Sequence, residues 1–192
     1  MQMFGQAIPV TGLSLGFPGK ISRLGERVVT SRQVLSTTAT NLPFGAPAVI
    51  VPTSGGGDTV QSVADFITGG GTFTAALFAG VAIAEVQTQT NYLATLSPYS
   101  PVSGFYAAGL MAEILERGSI TVTLAAGTPV SQAPVYIRKT YNASVPAGFV
   151  GDFEAAPSDT ANCVQIPNVV FRTGVVDSNN SVEITILSRQ AA

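Results

Sequence analysis

From Asp65 to Glu85 the chain carries no charged side chain between the two, and that window contains GTFTAALFAGVAIAEV, residues 71–86. A stretch this apolar forces a choice, because about 20 such residues make a membrane helix and the same composition also makes a buried strand. The window opens FITGGGTFT, and three consecutive glycines nucleate a helix poorly. Alternation fits better. Phe73, Ala75, Leu77, Ala79, Val81 and Ile83 share one face, and Thr72, Thr74, Ala76, Phe78, Gly80, Ala82 and Ala84 share the other. The pattern predicts a long strand over 75–90, bent at Gly80, buried on one side and partly covered on the other. It predicts no membrane span.

Other segments carry the same period of two. ERVVTSRQVLSTT (26–38), AVIV (48–51), SITVTLA (119–125), PVYIRKT (134–140), NVVFRTGV (168–175) and SVEITILS (181–188) all read as strands. The last two are joined by VDSNN, whose residues tolerate a tight turn, so they form a predicted hairpin. The one helical pattern read here is YAAGLMAEILERG (106–118). Leu110, Met111, Ile114 and Leu115 have helical spacing, Gly109 interrupts it, and the same residues read equally well at period two, so helix and strand both remain open there. With 20 Gly and 12 Pro as punctuation, the expectation is a mainly β chain: a single β-sandwich or barrel-like domain of antiparallel strands, with an extended N-terminal arm and little helix.

The sequence removes much chemistry. There is no histidine, which excludes a Ser-His-Asp triad, histidine acid–base catalysis and most zinc enzymes. The single cysteine, Cys163, makes no internal disulfide or cysteine metal cluster, and it reads as a small buried apolar group. SGGGDT (54–59) and TGGGT (68–72) are glycine-rich but lack the Lys-Ser/Thr of a phosphate loop. GDFEAAPSD places Asp152, Glu154 and Asp159 close together without the spacing of a calcium loop. NAS at 142 and NNS at 179 match glycosylation acceptors, with nothing to indicate secretion. No local carboxylate pair has the spacing for glycoside cleavage. The expectation is no catalysis, no metal and no cofactor.

Charge is scarce, at 10% of residues, and uneven. Lys20, Arg23, Arg27 and Arg32 lie in the first 32 residues, after which no Lys or Arg occurs until Arg117. The N-terminal segment MQMFGQAIPVTGLSLGFPGK, broken by Pro9 and Gly12, lacks the pattern of a cleaved signal peptide. It predicts an extended arm over 1–25, ahead of a β-rich domain over 26–192. The arm's apolar residues Phe4, Ile8, Leu13, Leu15 and Phe17, with Arg23, Arg27 and Arg32, are the candidate partner-binding residues. Four cations mixed with apolar residues do not make a nucleic-acid footprint. So little charge also suits a surface covered by partners.

One ordered set of phrases carries a family resemblance: LFAGVAIAEVQT (77–88), YAAGLMAEILERGSITVTL (106–124), GTPVSQAPVYIRKT (127–140) and the closing FRTGVVDSNNSVEITIL (171–187). Across roughly residues 15 to 190 the chain resembles the structural cement, or decoration, proteins of tailed bacteriophages. It departs from their pattern at Ala84, where a basic residue would precede Glu-Val. The resemblance implies a β-rich, non-enzymatic protein on the outer surface of the virion capsid, bound to the major capsid protein and to copies of itself as a dimer or trimer, and stabilising the head. It implies neither nucleic acid nor membrane as partner. Two other readings stay open: another tail or head component, and a carbohydrate- or ligand-binding β module using Tyr92, Tyr99, Phe105 and Tyr106.

Overall fold

One strand organises the molecule. Residues 111–126 of the computed structural model form a single 16-residue strand, and its two halves serve different sheets. The structure describes residues 15–23, 25–35, 41–52, 58–84, 104–141, 143, 148–157 and 161–188. Phe4, Ile8, Leu13, Tyr92, Tyr99, Asp159 and the predicted strand residues 85–90 lie outside these.

In chain order the elements are β1 (Val28–Val34), β2 (Leu42–Pro43), β3 (Pro47–Pro52), β4 (Asp58–Ser62), α1 (Val63–Thr68), β5 (Phe78–Ala82), β6 (Phe105–Tyr106), β7 (Met111–Ala126), β8 (Pro134–Arg138), β9 (Phe153–Glu154), β10 (Cys163–Val176) and β11 (Ser181–Ile186). The first half of β7 closes a ring in the order β1–β4–β3–β5–β7, and the second half closes another in the order β7–β11–β10–β8–β9. The pairings are antiparallel except for the short parallel contacts β1–β4 and β7–β9 that help close each ring. The mainly β, barrel-like expectation therefore holds, in the form of two small rings sharing a strand. Gly118, at φ +125, sits where β7 passes from one ring to the other.

The cores follow the pleat. Ile120, Val122 and Leu124 of β7 pack with Val182, Ile184 and Ile186 of β11 and with Ile137 and Phe171. On the first ring, Val34, Ala48, Val60, Ala82, Ala112 and Ile114 form a second cluster with Leu42 and Tyr106. The opposite face of those strands sends Val49, Phe78, Val81 and Leu115 into the larger cluster. Both faces of β5 are consequently covered, and all five of its residues are buried, where the sequence suggested one partly open face. A Cβ on Gly80 (φ +143) would lie 2.2 Å from the Leu115 carbonyl oxygen. The β3–β5 register shifts beside it, the kind of irregularity at which a strand can bend.

Two expectations need correction, on where the strand after Thr74 begins and where the helix lies, and one open reading is decided. The strand expected from 75 begins only at Phe78, because Ala75–Leu77 make a 3₁₀ turn in which Leu77 N–H donates to Thr74 O. Those residues lack the β-branched side chains that favour a pleat. Residues 111–117, open between helix and strand, are strand, since β1 and β5 pair with them. The α-helix lies elsewhere, at α1. There Ser62 Oγ accepts the Asp65 N–H and donates to the Asp65 carboxylate, a reciprocal N-terminal cap, and Gly69 and Gly70 of TGGGT end the helix.

Candidate interaction surface

The alternation that buries Ile120, Val122, Val182 and Ile184 turns Ser119, Thr121, Ser181 and Glu183 to the opposite face. That face is nonetheless closed to solvent, with Thr121, Ser181 and Glu183 at most 2% exposed. The cover is the arm. Gly19 N–H donates to Thr121 O, Thr121 N–H to Lys20 O, and Ser22 N–H to Ser119 O, with a bridge between Ile21 and Ile120. These bonds occupy β7 residues 119–121, between the residues paired with β5 and those paired with β9. Residues 15–23 thus lie along their own barrel.

Two carboxylates clasp this segment. Glu183 accepts from Arg23 Nε at 2.8 Å and from Ser22 Oγ at 2.7 Å. Burial alone would lift its carboxyl, but these hydrogen bonds and the charges of Arg23 and Arg172 hold it below the ordinary range. Asp177 closes the β10–β11 turn by accepting from Asn179 and Ser181 N–H, and its other oxygen accepts Leu15 N–H at 3.1 Å. Burial pushes this carboxyl up as well, and the backbone donors outweigh it.

The predicted site residues divide. Leu15 is half-buried and held by its backbone, and Thr121 Oγ1 donates to its carbonyl. Phe17 is 50% exposed, with the Lys20 ammonium 5.9 Å from its ring centre. Arg32 is buried against Glu116 at 2.7 Å. Arg27 is exposed, its Cβ beside Gly118. Arg23 lines a cavity of about 400 Å³ with Glu26, Arg117, Arg172, Ile186 and Leu187; Phe17 and Arg32 do not line it. Sequence reasoning missed Glu183, Asp177, Arg117 and Arg172, because the contacts that define them join residues as much as 162 positions apart.

A larger groove of about 680 Å³ lies beside α1, lined by Pro18, Phe44, Asp65, Phe105, Asp152 and Val150 among others. Burial raises the Asp152 carboxyl against the Phe149 N–H bond that lowers it. Of the aromatics considered for a ligand cleft, Phe105 lines this groove, while Tyr106 is a core residue whose hydroxyl donates to Ile83 O at 2.8 Å. Glu154, part of the acidic GDFEAAPSD stretch, is fully buried on Arg138 at 2.6 Å and accepts from Cys163 Sγ at 3.2 Å. Among the described residues no group of three or more His, Cys, Asp or Glu is placed to hold a metal ion, and no helix is long and apolar enough to cross a membrane.

Two closed β rings share β7, and the carboxylates of Glu183, Asp177 and Glu154 hold the arm, a turn and the core. A family model described as "Structural cement protein (E217 gp24/Pam3 gp6)" matches residues 5–187, and the chain belongs to this phage cement family. It is a structural protein of the virion capsid that stabilises the head. The fold is also that of a chain in the structure named "The capsid of Myoviridae Phage XM1". The two share 17% identity with a TM-score of 0.57, over 98% of this chain and 99% of that one. No curated protein matches the chain.

Proposed function

We propose that this cement protein attaches to the outer surface of the head, binds the major capsid protein, and associates with copies of itself as a dimer or trimer. It acts by contact alone, without catalysis, cofactor, nucleic acid or membrane. The observation that carries this reading is the arm. Residues 15–23 are clasped to the barrel through Asp177, Thr121 and Glu183, so the clasp anchors the apolar residues Phe4, Ile8 and Leu13 that precede it. Those residues, free of charge and interrupted by Gly and Pro, are the segment we assign to a neighbour or to the shell. Anchoring one end of a binding segment lowers the entropy lost when the other end docks. Closed symmetry is the default for such assemblies, and many copies on one shell multiply weak attachments.

Heads assembled with and without the protein provide the test. Decorated heads should retain their contents through heating or chelation that opens undecorated ones. Equal survival would remove the cementing role, and electron microscopy of decorated heads would read out which face is occupied and in what copy number.

A further inference from the structure

Along β7, β11 ends where β1 begins. Ile186 pairs with Gly118, and Val28 pairs with Arg117. Both strands run antiparallel to β7, so the end of one meets the start of the other. The chain leaving at Leu187 bonds to Asn168 O instead, and the chain arriving through Gly25 and Glu26 comes from the arm. The two paths part and leave a notch of about 400 Å³ over Gly118. Three guanidinium groups line it, those of Arg23, Arg117 and Arg172, against one lining carboxylate, Glu26. Arg23 is held by Glu183 and Arg117 by Glu26. Arg172 is exposed and is in none of the close ion pairs among the described residues, its charge acting at longer range on Glu183. Exposed Leu187 lines the notch, and exposed Val28 is the β1 residue paired with Arg117.

We propose that this notch is the polar anchor of attachment, taking a carboxylate side chain flanked by apolar residues from the protein shell. The proposal rests on the capsid-binding reading above. Arg172 supplies a forked donor that matches a carboxylate, and Leu187, which lines the notch, supplies apolar contact beside it. Nucleic acid fits poorly, because two of the three guanidinium groups already hold carboxylates and no dense basic face surrounds them. A second copy through a two-fold axis fits poorly too. With the notch on the axis of such an interface Arg172 would face Arg172, with like charges opposed.

The test uses the full-length protein with Arg172 changed to Gln and to Glu, attachment to undecorated heads being measured at low and at high salt, and self-association by sedimentation. At low salt R172Q should attach more weakly than wild type and R172E about tenfold more weakly or worse. The differences should shrink in about 0.5 M salt, where screening reaches only a few ångströms. Both variants should keep the wild-type oligomeric state; R172Q should melt close to wild type and R172E somewhat lower, because Arg172 contributes to the field on buried Glu183, so attachment is compared at a temperature where all three proteins are folded. Wild-type attachment by R172E at low salt, with wild type itself attaching, overturns the notch alone. Loss of the oligomer with attachment per copy unchanged overturns the shell as occupant in favour of another copy. A wild type that does not attach removes the underlying reading as well.

Discussion

Arg23 and Glu183 meet at 2.8 Å across the contact between arm and barrel, the guanidinium side chain 59% exposed and the carboxylate 3%. The asymmetry makes the pair matter more to the carboxylate. Arg23 without its partner keeps much of its water, whereas Glu183 without Arg23 is a buried charge left with Ser22 and the more distant field of Arg172. The arm is therefore a structural necessity for the face of the barrel it covers.

That contact predicts acid sensitivity. Glu183 is held below its ordinary value of 4.5 and Asp177 below 3.8. A carboxylate whose folded value is depressed contributes stability above its unfolded value, and the contribution is lost as pH falls through the folded one. The arm should hold at neutral pH and loosen below about pH 4. Amide protection factors at Gly19, Thr121 and Ser22 should fall over that range before those of Ile184 in the core. E183Q should flatten the dependence, and a uniform loss of protection across the molecule would contradict it.

Arg138 and Glu154 should be far less forgiving. Both side chains are fully buried and 2.6 Å apart, and Cys163 donates to the same carboxylate. Removing one member leaves an uncompensated buried charge, which typically costs about 3–5 kcal/mol. Glu154→Ala or Arg138→Ala should therefore lower the denaturation midpoint sharply. Replacing both with apolar residues of similar volume should recover much of the loss, and equal damage by the single and double changes would show that the pair's geometry, not its charge balance, is at stake.

Gly80→Ala tests the two-faced burial of β5. The added Cβ would meet the Leu115 carbonyl oxygen at 2.2 Å, from a backbone at φ +143 that L residues rarely adopt. Backbone strain of that kind costs about 1–3 kcal/mol by itself, and the clash adds to it. The variant should unfold at a clearly lower temperature than Gly104→Ala. Gly104 has open space around it and a φ of +64, a value L residues can adopt, so it sets the scale for a mild positive φ without a clash.

These residues also show how far the sequence could be read. The β10–β11 hairpin was legible because its turn chemistry is local: Asp177 caps residues two and four positions away. The cap of α1 was local too, Ser62 to Asp65, and the S-x-x-D spacing was there to be used. The first half of β7 was not legible, since Leu110, Met111, Ile114 and Leu115 suit a helix as well as a strand, and only pairing with β1 and β5 decides. For the site, the cations Arg23 and Arg27 were visible, but not that Glu183, 160 residues away, turns Arg23 inward to its own barrel. Nor could spacing show that Arg172 and Arg117 come to the same notch.

The arm can be divided experimentally where the structure divides it. Residues 15–23 bond to the barrel through Leu15, Gly19, Lys20, Ser22 and Arg23, whereas Phe4, Ile8 and Leu13 precede that segment. Deleting residues 1–14 should leave a barrel with wild-type melting behaviour that attaches poorly to heads, because the clasp is intact and the apolar reach is gone. Deleting residues 1–23 should also destabilise the barrel, since it strips β7 of its edge partner and strands Glu183 as a buried carboxylate. Reversing Arg23 to Glu should behave like the longer deletion, placing two carboxylates where an ion pair stood, while reversing the exposed Arg27 should change attachment modestly and mainly at low salt, as exposed charges contribute about 1 kcal/mol or less. Thermal melts and head-binding measured on the same four proteins separate the roles. Full attachment by the protein lacking residues 1–14 would show that the apolar segment is not what grips the shell.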